Sequence, residues 1–143
     1  MNQTTDDVLF DNRDGIAVIT LNRLQALNAL TMGMVDALYD RMAEWAADDS
    51  VRAVVIRGAG DRAFCAGGDV VAVAESRNEP GNTLRADFFR TEYRMNRLIH
   101  HFPKPYIALM HGVVMGGGVG LSVHGHCRVV TEQTMLAMPE TGI

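Results

Sequence analysis

The residues best suited to chemistry in this 143-residue chain are glycines placed before helices. Residues 106–122 combine an apolar run of strand length, the triple Gly116, Gly117 and Gly118, and a small-residue segment of helical length. The glycines are therefore expected where a buried strand turns into a helix. Side-chain-free residues let a ligand approach the backbone closely, and a helix start carries unpaired N–H groups and the positive end of the dipole. Such a turn suits an oxygen that becomes negative. A second segment places Ala66, Gly67, Gly68 and Asp69 directly before another helical pattern at 70–75, with Asp69 as a candidate cap. Two such turns can each supply one backbone N–H to the same oxygen. Neither is specific alone. A turn that serves packing only, or the small-xxx-small spacing of Gly112, Gly116 and Gly120 in a tightly packed helix, accounts for the same glycines. A membrane span is disfavoured by His111 inside the run and Lys104 just before it.

One carboxylate stands where an apolar residue is expected. From Leu84 a long helical pattern runs through Phe88, Met95, Ile99 and Phe102, and Glu92 occupies the stripe between Phe88 and Met95. A buried, unpaired carboxylate is costly, so Glu92 needs a partner, a raised pKa or an opening to a ligand cavity. Pairing with Arg85, Arg94 or a cation from a neighbouring element is the structural alternative. His124, His126 and Cys127 form the densest cluster of potential metal ligands, but no matching pair stands elsewhere at a known spacing, and no metal site is expected.

The elements that must position these residues follow from periodicity. Residues 8–12 and 16–22 are β-rich runs separated by Arg13, Asp14 and Gly15, the signature of a hairpin. Residues 22–30 read as a loop into a helix with Thr31 as N-cap and Met34, Leu38, Met42 and Trp45 as its apolar stripe, closed at residues 48–50. Residues 53–56 form a continuous apolar run expected to be a strand covered on both faces. Pro103 and Pro105 end the long helix, and 127–131 and 135–138 are short strands.

Composition sets outer limits. With 48% hydrophobic residues the chain can bury one core and is expected to be one domain or part of one. A net charge of -4 and 13 Lys and Arg residues without a basic run make nucleic acid an unexpected partner. Two cysteines are too few for a disulfide framework, and residues 1–7 lack the basic and apolar segments of a signal peptide, so cytoplasmic localisation with reduced thiols is expected.

Taken together, Ala66-Gly67-Gly68-Asp69, the segment 115–120 and Met138-Pro139-Glu140, with Asn22-Arg23 upstream, resemble the enoyl-CoA hydratase/isomerase (crotonase) superfamily. The resemblance runs from about Ile16 to Ile143. Phe89-Arg90-x-Glu92-Tyr93, His111-Gly112, the segment 120–125 and that at 137–141 are similar to the 3-hydroxyisobutyryl-CoA hydrolase branch. It implies an α/β fold, a spiral of repeated β-β-α units, with residues 1–143 as the N-terminal part of a single such domain, truncated before the last turns and the C-terminal helices. By motif match, the N–H groups of Gly68 and Gly117 form an oxyanion hole for a thioester oxygen, each commonly worth about 3–4 kcal/mol of barrier. Arg23, Ala26, Leu27, Ala66, Gly67, Gly68 and Asp69 match positions near the coenzyme, while Glu92, Gly117 and Glu140 line the substrate pocket. The resemblance further implies that Glu140 attacks the thioester carbonyl or activates water, and that Glu92 faces the acyl group's hydroxyl.

Two departures qualify this. Hydratases of the superfamily carry a second catalytic glutamate where this chain has Gly120, which disfavours water addition across a double bond. The hydrolase branch also uses an aspartate beyond the Glu140 motif, a position the 143 residues do not reach. The resemblance thus implies thioester hydrolysis, with a hydratase/isomerase or an inactive acyl-CoA-binding fragment as alternatives. Coenzyme A enters as part of the substrate, and no separate cofactor is implied. The expected partners are acyl-CoA, the missing C-terminal part of the same protein and, as is common in the superfamily, further copies in a homo-oligomer; no membrane partner is expected.

Overall fold

The chain opens on a hairpin. Strands β1 (Val8–Arg13) and β2 (Ile16–Leu21) pair antiparallel across Asp14 and Gly15, whose φ values of 52° and 85° are those of a two-residue turn that follows the strand twist. The computed structural model that shows this describes residues 6–69, 71, 74, 81 and 83–139. Beyond the hairpin every strand pairing is parallel. Strands β2, β3 (Ala53–Gly58), β5 (Tyr106–Met110) and β7 (Cys127–Val130) continue one five-stranded sheet in the order β1-β2-β3-β5-β7. The short strands β4 (Ala63–Cys65), β6 (Val113–Met115) and β8 (Met135–Ala137) form a second sheet in the order β4-β6-β8.

This alternation is the repeat. Each turn of chain lays a longer strand in the first sheet and a short one in the second, and then crosses back, as parallel pairing requires. The central run therefore contains two strands, β5 and β6, separated by His111 and Gly112, where the sequence suggested one strand before the glycines.

Two helices cover the first sheet. Helix α1 (Met32–Ala47) starts where expected: Thr31 Oγ1 accepts a hydrogen bond from Met34 N–H at 3.2 Å. Met34, Val35, Leu38, Met42 and Trp45 are all buried. Helix α2 (Leu84–His100) packs against α1 and buries Phe88, Met95 and Ile99. In β3, Val54 and Ile56 are fully buried, while Ala53 and Val55 are only half-buried. The expectation of a strand covered on both faces is thus corrected: an unbroken apolar run marks one helix-covered face and a second, partly open one.

The last strands are the least covered. Val129 and Val130 of β7 and Met135 and Leu136 of β8 are 44%, 60%, 58% and 51% exposed, each on the edge strand of its sheet. Unpaired edges carrying apolar side chains are surfaces that further chain or a partner ordinarily covers.

Asn28 holds the loop before α1 in place. It is 1% exposed with φ 58°, a left-handed conformation that asparagine tolerates better than most residues. Its Oδ1 accepts from Arg23 N–H at 2.9 Å, and its Nδ2 donates to the carbonyls of Ala63 at 2.9 Å and Ala59 at 3.2 Å. Asn28→Ala leaves buried backbone groups without partners and is expected to lower the unfolding free energy by about 2–4 kcal/mol. Urea denaturation checks this; an unchanged midpoint contradicts the role.

Candidate functional site

Parallel pairing of β4 with β6, in the register Ala63↔Val113 and Cys65↔Val114, brings two glycine turns side by side at the ends of the two strands. Neither turn has room for side chains. Gly116 adopts φ 49° and ψ -116°, a conformation open in practice to glycine alone. A methyl group on Gly117 would lie 3.5 Å from Gly68 N and 2.5 Å from Glu92 Oε1, and one on Gly67 would lie 3.3 Å from Met115 O. One on Gly118 would collide with the Cys65 carbonyl. Backbone crowds Gly67 and Gly118, and the Glu92 side chain crowds Gly117.

Among the described residues, the same geometry leaves two donors, Gly68 N–H and Gly117 N–H, without an acceptor. Leu30 N–H donates to Gly67 O at 2.7 Å and Asp69 N–H to Leu30 O at 2.8 Å, forming a parallel bridge between Leu30 and Gly68. In such a bridge the groups of the middle residue point to the opposite side, so Gly68 N–H faces away from Leu30. Gly117 opens the short helix α3 (Gly117–Val123), whose first bonds run from Val119 and Gly120 N–H to Gly116 O at 2.9 and 3.3 Å. As the first helical residue it has no intrahelical acceptor for its own N–H. Both glycines line a cavity of about 710 Å³, the size of a small-molecule site.

The cavity walls come mainly from α2 and α3. Phe88, Phe89, Tyr93, Val119 and Val123 make them largely apolar. Glu92, 6% exposed, lies among them with its carboxylate beside Gly117. Of the arginines considered as its partner, Arg94 turns the other way, with its guanidinium 4.8 Å from the centre of the Tyr39 ring and a 3.2 Å hydrogen bond to the Tyr39 hydroxyl. The field of the buried carboxylate reaches Cys65. Burial pushes that thiol up to about 12, a backbone hydrogen bond of Gly67 opposes the rise, and Glu92 adds to it.

One cavity residue lay outside the sequence argument. Asn96, a single turn after Glu92 on α2, presses its amide against Gly120, and its Oδ1 is buried without a hydrogen-bond partner among the described residues. The available signal was the four-residue spacing from Glu92, which places both on one helix face.

Residues matched to coenzyme contacts form one connected ladder beside the cavity. Ala26 N–H donates to Arg23 O at 3.1 Å, Ala66 N–H to Leu27 O at 3.0 Å, and the Leu30 bonds to Gly67 and Asp69 continue it. Arg23 Nη2 pairs with Asp69 Oδ2 at 2.8 Å, and Arg23 Nη1 donates to Ala29 O at 3.2 Å. Arg23, Ala26, Leu27, Ala66, Gly67, Gly68 and Asp69 are therefore brought together. The helical pattern that Asp69 was expected to cap lies largely outside the described residues, and so does Glu140. Pro139 ends the described part of the third motif.

The histidine cluster is used differently. His126 Nδ1 accepts from Tyr106 N–H at 3.2 Å, and His124 sits at the cavity, 6.3 Å from the His100 ring. Among the described residues no three His, Cys, Asp or Glu side chains are grouped to hold a metal ion, and no described helix is long and apolar enough to cross a membrane.

The two thiols are expected to separate cleanly. Cys127 is exposed, whereas Cys65 is fully buried with its pKa near 12. In native protein at pH 8 an aromatic disulfide reagent should modify one thiol promptly and the second at least about 1,000-fold more slowly, with both reacting in urea. Two fast thiols in the native state would contradict the burial of Cys65 behind the cavity.

Comparison with known proteins places this geometry. The pattern of the enoyl-CoA hydratase/isomerase family matches residues 16–143. The chain is 53% identical over 137 residues to the mitochondrial 3-hydroxyisobutyryl-CoA hydrolase of Danio rerio, covering 96% of this chain and 36% of that protein. Against the Homo sapiens protein of the same name it is 45% identical over 146 residues, covering 100% of this chain and 38% of the relative. It thus spans little more than a third of the length of these curated relatives. Among solved structures it is similar to a carnitinyl-CoA dehydratase from Mycobacterium thermoresistibile, with a TM-score of 0.93, 51% identity, and coverage of 96% of this chain and 40% of that one. An enoyl-CoA hydratase from Rhodobacter sphaeroides gives a TM-score of 0.90, 45% identity, and coverage of 94% and 40%. Shared sequence pattern and shared spiral agree, and the chain belongs to the enoyl-CoA hydratase/isomerase, or crotonase, family.

Proposed function

We propose that the complete protein hydrolyses a short 3-hydroxyacyl-CoA thioester, 3-hydroxyisobutyryl-CoA foremost, to the free acid and coenzyme A. One observation carries this reading. Gly68 and Gly117 stand backbone to backbone at the wall of a largely apolar cavity that also holds the Glu92 carboxylate. Two fixed N–H donors can stabilise the negative oxygen that develops when a thioester carbonyl is attacked, in a largely apolar site. Glu140 then serves as nucleophile, forming an acyl anhydride that water hydrolyses to the free acid, or as the base that takes a proton from the attacking water. The C–S bond breaks, and the coenzyme thiolate leaves and is protonated.

Supporting the choice of hydrolysis are the names of the curated relatives and the glycine at position 120. The solved structures named as hydratases favour the second reading, hydration or isomerisation of an enoyl-CoA. Against it stands Gly120, which brings no carboxylate to the cavity and instead receives the Asn96 amide. The ladder from Arg23 to Asp69 is assigned to the coenzyme portion. Exposed apolar side chains on β7 and β8, together with the 36% coverage of the Danio rerio relative, support a further C-terminal segment that completes the site.

Assay of the complete protein with 3-hydroxyisobutyryl-CoA should release free thiol, and Glu140→Gln should reduce that release about 100- to 10,000-fold while acyl-CoA binding persists. Turnover that retains the thioester would favour the hydratase or isomerase reading. Binding without turnover would favour an acyl-CoA-binding role.

A further inference from the structure

Along the inward face of α2, two polar side chains reach the cavity at one-turn spacing, and each meets a different glycine of α3. Glu92 lies against Gly117, next to the two backbone donors; Asn96 lies against Gly120, with Nδ2 2.7 Å and Oδ1 2.9 Å from where a β-carbon at that position would sit. The surrounding wall is made of Phe88, Phe89, Val119 and Val123. An amide is an odd choice there for packing alone, because its oxygen is buried and no described residue gives it a donor. No side chain at 120 covers it from the α3 side.

We propose that Asn96 recognises the hydroxyl of the acyl group, holding it jointly with Glu92. This rests on the thioester reading above and adds the residue that selects the substrate class. A hydroxyl both donates and accepts. It can donate to the Glu92 carboxylate and accept from Asn96 Nδ2, or donate to Oδ1 when the amide is turned over. The spacing fits as well. Residues one helical turn apart have β-carbons about 5–6 Å apart, and a 3-hydroxyacyl group carries its hydroxyl two carbons from the carbonyl that Gly68 and Gly117 hold. A neutral amide has no proton to give the hydroxyl as a leaving group, so Asn96 holds it without assisting loss of water.

The test is the ratio of kcat/KM for 3-hydroxyisobutyryl-CoA to that for isobutyryl-CoA, which lacks only the hydroxyl, measured in the complete protein. Asn96→Leu keeps the branched shape and the number of side-chain heavy atoms and removes both hydrogen-bonding groups, and Asn96→Ser provides a smaller variant should the leucine disturb folding. The expected result is a fall in the ratio of about 10- to 100-fold in either variant. Equal losses on both thioesters, or an unchanged ratio, would overturn the assignment of Asn96 and leave hydrolysis standing. If the unaltered protein releases thiol from neither compound, the hydrolase reading fails. The same ratio is then read as affinity for the non-cleavable thioether analogues of the pair, and loss of the hydroxyl preference in Asn96→Leu supports the proposal while its retention overturns it.

Discussion

Everything at this site depends on how closely two backbone turns approach each other. β4 and β6 are only three residues long, yet their parallel pairing fixes where the chain leaves each strand: Gly116 follows β6 directly, and Gly67 follows β4 after Ala66. A β-carbon on Gly117 would run into the Glu92 carboxylate and one on Gly118 into the Cys65 carbonyl, while the backbones of Gly68 and Gly117 stand within ordinary contact of each other. In exchange, two N–H groups stand at one cavity wall, fixed by strand and helix rather than by mobile side chains. Preorganised donors of this kind need no reorganisation when charge develops, which is why they are effective in catalysis.

The second constraint is electrostatic. Placing Glu92 at 6% exposure among phenylalanines and valines is unfavourable unless other groups or a ligand compensate. Its position is bought by the rest of α2, where Phe88, Met95 and Ile99 bury the same helix face against the core. The carboxylate is thus held by packing it does not contribute to. Its field adds to the burial that keeps the Cys65 thiol protonated, so the nearby sulfur is a packing atom and not a nucleophile.

The sequence was most informative where one residue type has one physical use. Asp14 and Gly15 announced the hairpin turn, Thr31 the start of α1, and the break in the stripe at Glu92 a carboxylate facing inward. The two glycine turns were legible one at a time; that they meet depends on the β4–β6 register, which no local pattern encodes. Asn28 and Asn96 were not legible because their roles come from partners far along the chain: the carbonyls of Ala59 and Ala63 for one, the bare backbone of Gly120 for the other. The run at 53–56 looked fully enclosed because periodicity cannot distinguish a strand covered on two faces from one covered on a single face with apolar residues on both. Glu140, named by its motif, lies outside the described residues, so the resemblance alone supports its role.

The most direct test of the account is a crystal structure of the complete protein with a non-cleavable 3-hydroxyacyl-CoA analogue that retains the carbonyl. The account predicts the carbonyl oxygen within about 2.7–3.1 Å of both Gly68 N and Gly117 N. A carbonyl held elsewhere, with either N–H directed at water or at the protein, would contradict it.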